Sequence, residues 1–205
     1  IKYRNVGPTR GGRSTTVCGV VNDQFTFYMG TTGGGLWKTT DAGLNWKNIS
    51  DGYFESPSIG SIDVYQADPN ILYVGTGSDG IRSNVIIGKG VYKSKDAGAS
   101  WEPLGLKNTG QIGAVKINPN DPNIVYVAAI GQPFNSNSER GIFKTTDGGK
   151  TWNKTLFISD KIGIVDIEFS PENPDIIYAA SWEVDRKPWT IISGSKDGGI
   201  YKAID

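Results

Sequence analysis

Short runs of β-branched and aromatic residues, many alternating with polar residues, recur along the whole chain and are separated by Asn-Pro, Asp-Pro, Asp-Gly and Gly-Gly dipeptides. Runs of this kind, bounded by turn residues, are typical of β-strands. Four consecutive runs predict four strands, A to D, at about 60–65, 71–76, 89–95 and 100–104. The pattern therefore predicts an all-β protein.

The four-strand unit repeats with a period of about fifty residues. Its C–D half reads Gly, an apolar pair, Lys and then Asp-x-Gly-x-x-Trp, with copies that start at Gly35, Gly90, Gly141 and Gly199. Repeated four-stranded antiparallel units are typical of β-propeller blades. We predict a partial β-propeller over 1–205, with blades at about 13–50, 58–105, 111–156 and 162–205, the last of them incomplete.

The blade number of the complete ring stays open at this point. The fourth copy of the pattern reaches Asp205 without the turn and outer strand that the other copies have. Since a propeller typically needs about four to eight blades, we expect part of a larger propeller. The alternative is a four-bladed ring in which residues 1–6 supply a missing strand.

The Asp, Gly and Trp residues of the C–D pattern have a structural interpretation. The aspartate can accept hydrogen bonds from its own turn, the glycine supplies a positive φ, and the tryptophan can pack between blades. We therefore assign a structural role, rather than metal binding or catalysis, to Asp41, Gly43, Trp46, Asp96, Gly98, Trp101, Asp147, Gly149, Trp152 and Asp205. No metal site is predicted, because the segment around Asp147 lacks the remaining ligand spacing of a calcium loop.

Composition narrows the possible chemistry. The chain has no histidine, so the commonest general base and the usual zinc ligand are absent. With 21 basic and 21 acidic residues it has no basic footprint for nucleic acid, and it has no apolar stretch long enough to span a membrane. The single cysteine, Cys18, lies in an apolar run and is expected to be buried and inert. We predict no cofactor.

The irregular loops carry the candidate functional residues. In propellers of this kind the B–C and D–A loops form the binding face, away from the C–D turns. The candidates for ligand binding are Arg82, Arg140, Arg186, Trp182 and Trp189, and Arg10 and Arg13 are further arginines that could converge on the same face. Converging arginines favour a carboxylate or sulfate, and tryptophans can stack on a sugar or peptide. Solvated loop charges and a tryptophan cap on the channel are the alternatives.

Catalysis without histidine would have to rest mainly on carboxylates. The loops contain four that could form an acid and base pair for glycoside cleavage, namely Asp79, Glu139, Glu183 and Asp185. Their separation in space stays open.

The motif Ser/Thr-x-Asp-x-Gly-x-x-Trp, present at 39–46, 94–101 and 145–152, resembles the Asp box of sialidase-type (BNR) repeats. The chain is similar to bacterial glycosyl-hydrolase-like and sortilin-like propellers, and similar repeats occur in xyloglucanases and a photosystem assembly factor. True sialidases carry Phe/Tyr-Arg-Ile-Pro, whereas here Tyr3-Arg4 precedes Asn5-Val6. Xyloglucanases place a catalytic aspartate where this chain has Thr32. Both departures weaken an enzymatic interpretation.

The resemblance implies a secreted or envelope-associated propeller that binds protein, peptide or glycan through its B–C and D–A loops. One alternative is a glycoside hydrolase whose carboxylate pair lies partly outside residues 1–205. Another is a structural blade array in a larger assembly. No nucleic-acid partner and no membrane span are expected.

Overall fold

The computed structural model describes residues 12–82 and 84–204. These residues form sixteen β-strands in four sheets, which we call blades one to four, and contain no helix. Blades one and two contain β1 (Ser14–Val20), β2 (Asp23–Thr31), β3 (Leu36–Thr39), β4 (Lys47–Asn48), β5 (Ile59–Val64), β6 (Leu72–Thr76), β7 (Val91–Ser94) and β8 (Glu102–Pro103). Blades three and four contain β9 (Gln111–Asn118), β10 (Asp121–Gly131), β11 (Gly141–Thr145), β12 (Asn153–Leu156), β13 (Ile162–Phe169), β14 (Ile176–Lys187), β15 (Thr190–Ser193) and β16 (Ile200–Ile204).

The first three blades are antiparallel meanders in which strands pair in sequence order. Their first strands lie side by side, since β1 contacts β5, β5 contacts β9 and β9 contacts β13. Apolar clusters fill the space between successive blades, such as the one that joins Tyr28 and Leu36 of blade one to Leu72 and Trp101 of blade two. This arrangement confirms the predicted all-β partial propeller.

Blade four departs from the meander. Its second strand, β14, pairs with β16 along Ile176–Ala180 and with β15 along Val184–Lys187. The prediction that Trp182, Arg186 and Trp189 lie in an irregular loop is wrong for Trp182 and Arg186, which lie in β14. Successive side chains from Trp182 to Lys187 point to opposite faces of the strand, so Val184 can be buried while its neighbours reach the surface. We call residues 184–193 the hairpin.

The repeated C–D turn has one geometry in three blades. In blade two, Asp96 Oδ1 accepts hydrogen bonds from Ser100 N (2.8 Å) and Ser94 Oγ (2.7 Å), while Gly98 N donates to Ser94 Oγ (2.8 Å). Gly98 adopts φ +85°, which favours glycine. Hydrogen bonds led by the one from the Ser100 side chain lower the pKa of Asp96 to about 2. The carboxylate is therefore engaged within its own turn.

The equivalent turns repeat these contacts. Asn45 N donates to Asp41 Oδ1 (2.8 Å) and Thr151 N donates to Asp147 Oδ1 (3.0 Å). The pKa of Asp41 is lowered to about 2, first by the backbone hydrogen bond from Asn45, and that of Asp147 is also lowered, first by the Thr151 side chain. Asp205 lies outside the described residues.

Tryptophans immediately before the outer strands join neighbouring blades. Trp101 Nε1 donates to Ile49 O of blade one (2.8 Å), and Trp152 Nε1 donates to Leu104 O of blade two (2.8 Å). Each indole thus packs against the previous blade and also pairs with its backbone. This satisfies the one polar group that a buried tryptophan carries.

The inner strands approach closely at glycines. A Cβ added to Gly60 would lie 1.9 Å from Ile112 O of the next blade, and one added to Gly113 would lie 2.2 Å from Val165 O. No real Cβ contact is that short, and backbone atoms cannot move aside as the end of a flexible side chain can. The spacing between blades two, three and four therefore depends on glycine, which has no side chain, at these two positions.

Gly113→Ala is expected to destabilise the chain by about 2 kcal/mol and to lower Tm by about 4–8 °C, because the new methyl group collides with the Val165 carbonyl. The measurement is thermal unfolding followed by circular dichroism. Gly80→Ala is the control, since its Cβ would meet nothing closer than Ser78 Oγ at 3.5 Å. An unchanged Tm in Gly113→Ala would contradict the close approach.

Polar side chains of β5 satisfy the free edge of β9. Ser61 Oγ accepts from Val115 N (3.0 Å) and Asp63 Oδ2 accepts from Ile117 N (2.7 Å). Asp63 is half-buried in this contact, and burial raises its pKa to about 6, against the opposing effect of the Ile117 hydrogen bond. Ionised Asp63 is thus less stable in the folded chain than in the unfolded chain.

This shift gives a defined pH dependence. Because the pKa of Asp63 is 3.8 when unperturbed and about 6 in the folded chain, the folded state holds more protons between those values, and its stability falls as pH rises through that window. We expect the free energy of unfolding of Asp63→Asn to fall by about 1–3 kcal/mol less over this pH range than that of the unaltered chain. Urea unfolding between pH 4 and 7 measures it. Glu172→Gln, an exposed change in blade four, should leave the slope unaltered, and an equal slope in Asp63→Asn would refute the assignment.

Candidate functional site

The strand order places two kinds of connection at opposite ends of the blades. In an antiparallel A-B-C-D sheet, the A–B and C–D turns share one end, and the B–C loops and the links between blades share the other. We call this second end the loop face. On it lie the described parts of the B–C loops, at 77–82, 84–90 and 132–140, the hairpin, and the links at 49–58, 104–110 and 157–161.

An apolar cap lies beneath the loop face. Ile81, Ile130 and Val184, which come from three different blades, are buried together, and Val85 and Trp182 pack against them. Trp182 Nε1 donates to Ser193 Oγ of β15 (2.9 Å), so the indole is held within blade four. Of the two interpretations open for Trp182, the structure favours packing in the cap.

Arg140 is buried rather than presented to a ligand. Only 1% of its surface is exposed, although we had predicted it to bind a ligand from a loop. Its Nη1 donates to Ile130 O (3.0 Å), and its Nη2 donates to Gln132 O (2.8 Å) and to Val184 O (3.2 Å). The terminal nitrogens are thus used by backbone carbonyls and cannot grip a carboxylate in bidentate fashion. Burial lowers the pKa of Arg140, against the opposing charges of nearby acids led by Asp185.

These contacts fix the hairpin to blade three. Arg140 bonds to the carbonyl of Val184, and Arg186 N donates to Pro133 O (2.6 Å). The free edge of β14 is therefore hydrogen-bonded to the B–C loop of blade three. These hydrogen bonds hold the base of the hairpin against blade three.

The other predicted arginines lie in separate surroundings. Arg186 Nη1 donates to Lys187 O and Thr190 O (2.8 Å each), so its side chain folds over the hairpin turn. Arg13 Nη2 donates to Asn84 Oδ1 (2.9 Å), and Arg82 is exposed. Arg10 lies outside the described residues. The contacts of Arg13, Arg140 and Arg186 offer no support for one shared anion site.

The tip of the hairpin carries exposed apolar surface. Trp189 is 81% exposed, and Ile191 and Ile192 are 41% and 47% exposed. Phe134 of the neighbouring B–C loop is 39% exposed. An exposed aromatic residue on a rigid projection is typical of a binding surface.

The candidate carboxylates fall into two groups. Glu183 and Asp185 both line a small pocket beside Arg140, and Asp185 Oδ2 pairs with Lys187 Nζ at 3.0 Å. Asp79 is half-buried next to the cap residue Ile81, outside that pocket. Glu139, half-buried, precedes Arg140 in the B–C loop.

Asp79 has a partner that we did not predict from the sequence. Burial raises the pKa of Asp79, backbone hydrogen bonds partly oppose this, and the charge of Asp166 on β13 raises it further. Asp166 takes the register position that Ser61 and Ala114 occupy in the preceding blades, opposite residues 180, 75 and 128. Aligning the three A strands would have shown that an acid replaces small residues there.

Cys18 has little nucleophilic character. Its thiol is half-buried, and burial, followed by the charge of Asp63, raises its pKa to about 11. Within residues 12–82 and 84–204, no group of three His, Cys, Asp or Glu side chains could hold a metal ion. The same part of the chain contains no helix long and apolar enough to cross a membrane.

Comparison with known proteins gives the class of fold. No family model matches the chain. It is 24% identical over 196 residues to a probable oligoxyloglucan-reducing end-specific xyloglucanase of Neosartorya fischeri, a match that covers 88% of this chain and 23% of that protein. An ancestral GH74 enzyme aligns with TM-score 0.65 and 23% identity, over 83% of this chain and 22% of the other.

A second solved structure, YCF48 bound to D1 peptide, aligns with TM-score 0.57 and 15% identity, over 89% of this chain and 56% of that one. The chain therefore has a β-propeller fold of the kind found in GH74 enzymes and YCF48. It spans less than a quarter of the length of the xyloglucanase and GH74 relatives. At this identity the likeness defines the fold alone.

Proposed function

We propose that the loop face binds a glycan, with the hairpin as its main contact, in a propeller that works outside the cytoplasm. The exposed Trp189 carries this proposal, because an indole face offers a flat apolar surface on which a sugar ring can stack. The relative named as a probable xyloglucanase favours a glycan over the protein or peptide that we also considered. The sialidase-type and sortilin-like assignment remains our interpretation of the C–D motif.

The anchoring of the hairpin supports the same proposal. Arg140 and the backbone of Arg186 hold β14 against blade three, so that Trp189 is presented in a fixed place. A ligand that stacks on a rigid aromatic residue loses less free energy to the ordering of the site than one that must order a loop.

Trp189→Ala is expected to weaken binding of soluble xyloglucan about tenfold, through loss of the stacking surface. Affinity gel electrophoresis or calorimetry measures this. Leu44→Ala is a matched control, because Leu44 is 69% exposed but lies in a C–D turn at the opposite end of the blades. Equal affinity of Trp189→Ala and the unaltered chain would refute the proposal, and binding of an extended peptide alone would favour a peptide ligand.

A second candidate function is glycoside hydrolysis, favoured by Asp79 and Asp166. A carboxylic acid with a raised pKa, such as Asp79, can stay protonated and donate to a glycosidic oxygen. Any further catalytic carboxylate would have to come from residues other than these two. We hold this function second, because Thr32 stands where xyloglucanases are expected to have an aspartate.

If the chain hydrolyses xyloglucan, Asp79→Asn should abolish turnover and leave binding within about twofold, because the amide cannot donate the proton. Activity should also fall as pH rises through the raised pKa of Asp79, since the acid must be protonated. Release of reducing sugar measures both effects. Asp175→Asn, exposed in the A–B turn of blade four, is the control, and activity retained in Asp79→Asn would exclude Asp79 as the acid.

A further inference from the structure

Blade one exposes, on the side away from blade two, apolar residues at positions that blade two buries. Val17 is 73% exposed and Phe27 is 40% exposed. Their register positions in blade two are taken by Ile62 and Leu72, which are buried. Ile62 and Leu72 are buried because they pack against blade one. The exposed face of blade one therefore has the apolar pattern of a surface that contacts a preceding blade.

Blade four exposes residues on the side away from blade three. Ile200 is 80% exposed, whereas Leu36, at the same register position in blade one, is buried against blade two. Lys202 is also exposed. Its equivalent Lys38 donates from Nζ to Ala97 O in the C–D turn of blade two (2.8 Å). This face of blade four thus matches a surface that contacts a following blade. We call it and the exposed face of blade one the end faces.

A groove of about 290 Å³ lies between the outer parts of blades three and four. Between blades one and two, the corresponding space is filled by Trp101, which clusters with Tyr28, Leu36, Leu72, Val74 and Tyr92. The groove is lined, at the same register positions, by Tyr126, Ile142, Ile177, Ala179 and Tyr201. Within the described residues, β16 pairs with β14 alone. An aromatic side chain from an added outer strand would therefore fit this groove.

The sequence before β1 has the pattern of such an outer strand. Residues 3–16 match residues 101–114 without a gap. The matched pairs include Tyr3 with Trp101, Val6 with Leu104, Gly7 with Gly105 and Gly12 with Gly110. Residues 101–114 contain β8 and the link into β9. Residues 3–6, which lie outside the described residues, thus match the outer strand of a blade that precedes blade one.

We propose that a second copy of this chain docks its blade one against blade four, and that two copies close a ring of eight blades. The exposure of Val17 and Ile200 shows that the two end faces do not meet within one chain. In the docked pair, residues 3–6 of the second copy pair with β16, and Tyr3 fills the groove. A head-to-tail contact closes a ring where its rotation allows, and eight blades lie within the usual range of about four to eight.

Sedimentation equilibrium over roughly 1–100 µM chain tests the proposal, and we expect the mass of two chains. Val17→Lys and Ile200→Lys each place a charge in the contact, so each should weaken association at least about tenfold. Both side chains are exposed in the single chain, so Tm should be unchanged. Phe134→Lys is the matched control, because Phe134 is a partly exposed apolar residue in a loop of blade three.

Mixing the two variants tests the head-to-tail arrangement. Val17→Lys keeps an unaltered blade four and Ile200→Lys keeps an unaltered blade one, so the mixture should form a 1:1 pair although each variant alone is a single chain. A mass of one chain at every concentration of the unaltered protein, or a mixture that does not pair, overturns the proposal.

Tyr3→Ala tests the occupant of the groove. We expect it to weaken association about tenfold, because the aromatic side chain that fills the groove is lost. Association equal to that of the unaltered chain would contradict the placement of Tyr3 between blades three and four.

Discussion

The close approach of inner strands is the constraint on which the rest of this structure depends. At Gly60 and Gly113 the next blade's backbone carbonyl occupies the place of a side chain. This proximity lets Ser61 and Asp63 reach the free N–H groups of β9, so that this edge strand is satisfied by side chains of its neighbour. Indoles at the outer strands, such as Trp101, then close the same interface from the other side. The distance between neighbouring blades is thus fixed in two places, at the first strands and at the tryptophan indoles.

Because the contacts between blades fix the strands, the loops of the loop face can differ from blade to blade. The C–D turns of blades one to three satisfy their own aspartates, as Asp96 does with Ser94 and Ser100, so these carboxylates are engaged within their turns. Blade four instead extends β14 beyond the sheet and pairs it with β15. Arg140 of blade three donates a hydrogen bond to Val184 O in this extension, so blade three holds the extension in place. The irregular element therefore acquires rigidity from the regular ones.

Much of the fold could be predicted, because the repeat specifies it locally. The Asp, Gly and Trp spacing defines a turn whose contacts lie within eight residues, and alternation defines the strands around it. The burial of Arg140 could not be predicted in this way, since its partners at Ile130 and Val184 belong to different blades. The hairpin did have a local signal in the alternation from Trp182 to Lys187, which the flanking Pro188 and Trp189 obscured. The role of Asp166 beside Asp79 could be predicted only by comparing equivalent positions in successive blades, because no pattern within one blade indicates it.

The position of Arg140 also changes which residue can define specificity. An exposed arginine would select anions by its charge, but the terminal nitrogens of Arg140 donate to three backbone carbonyls, and its Nε is buried. The same burial that removes Arg140 from the surface fixes the hairpin that displays Trp189. In the proposed function, Arg140 therefore acts by holding the hairpin that carries Trp189, and not by its charge.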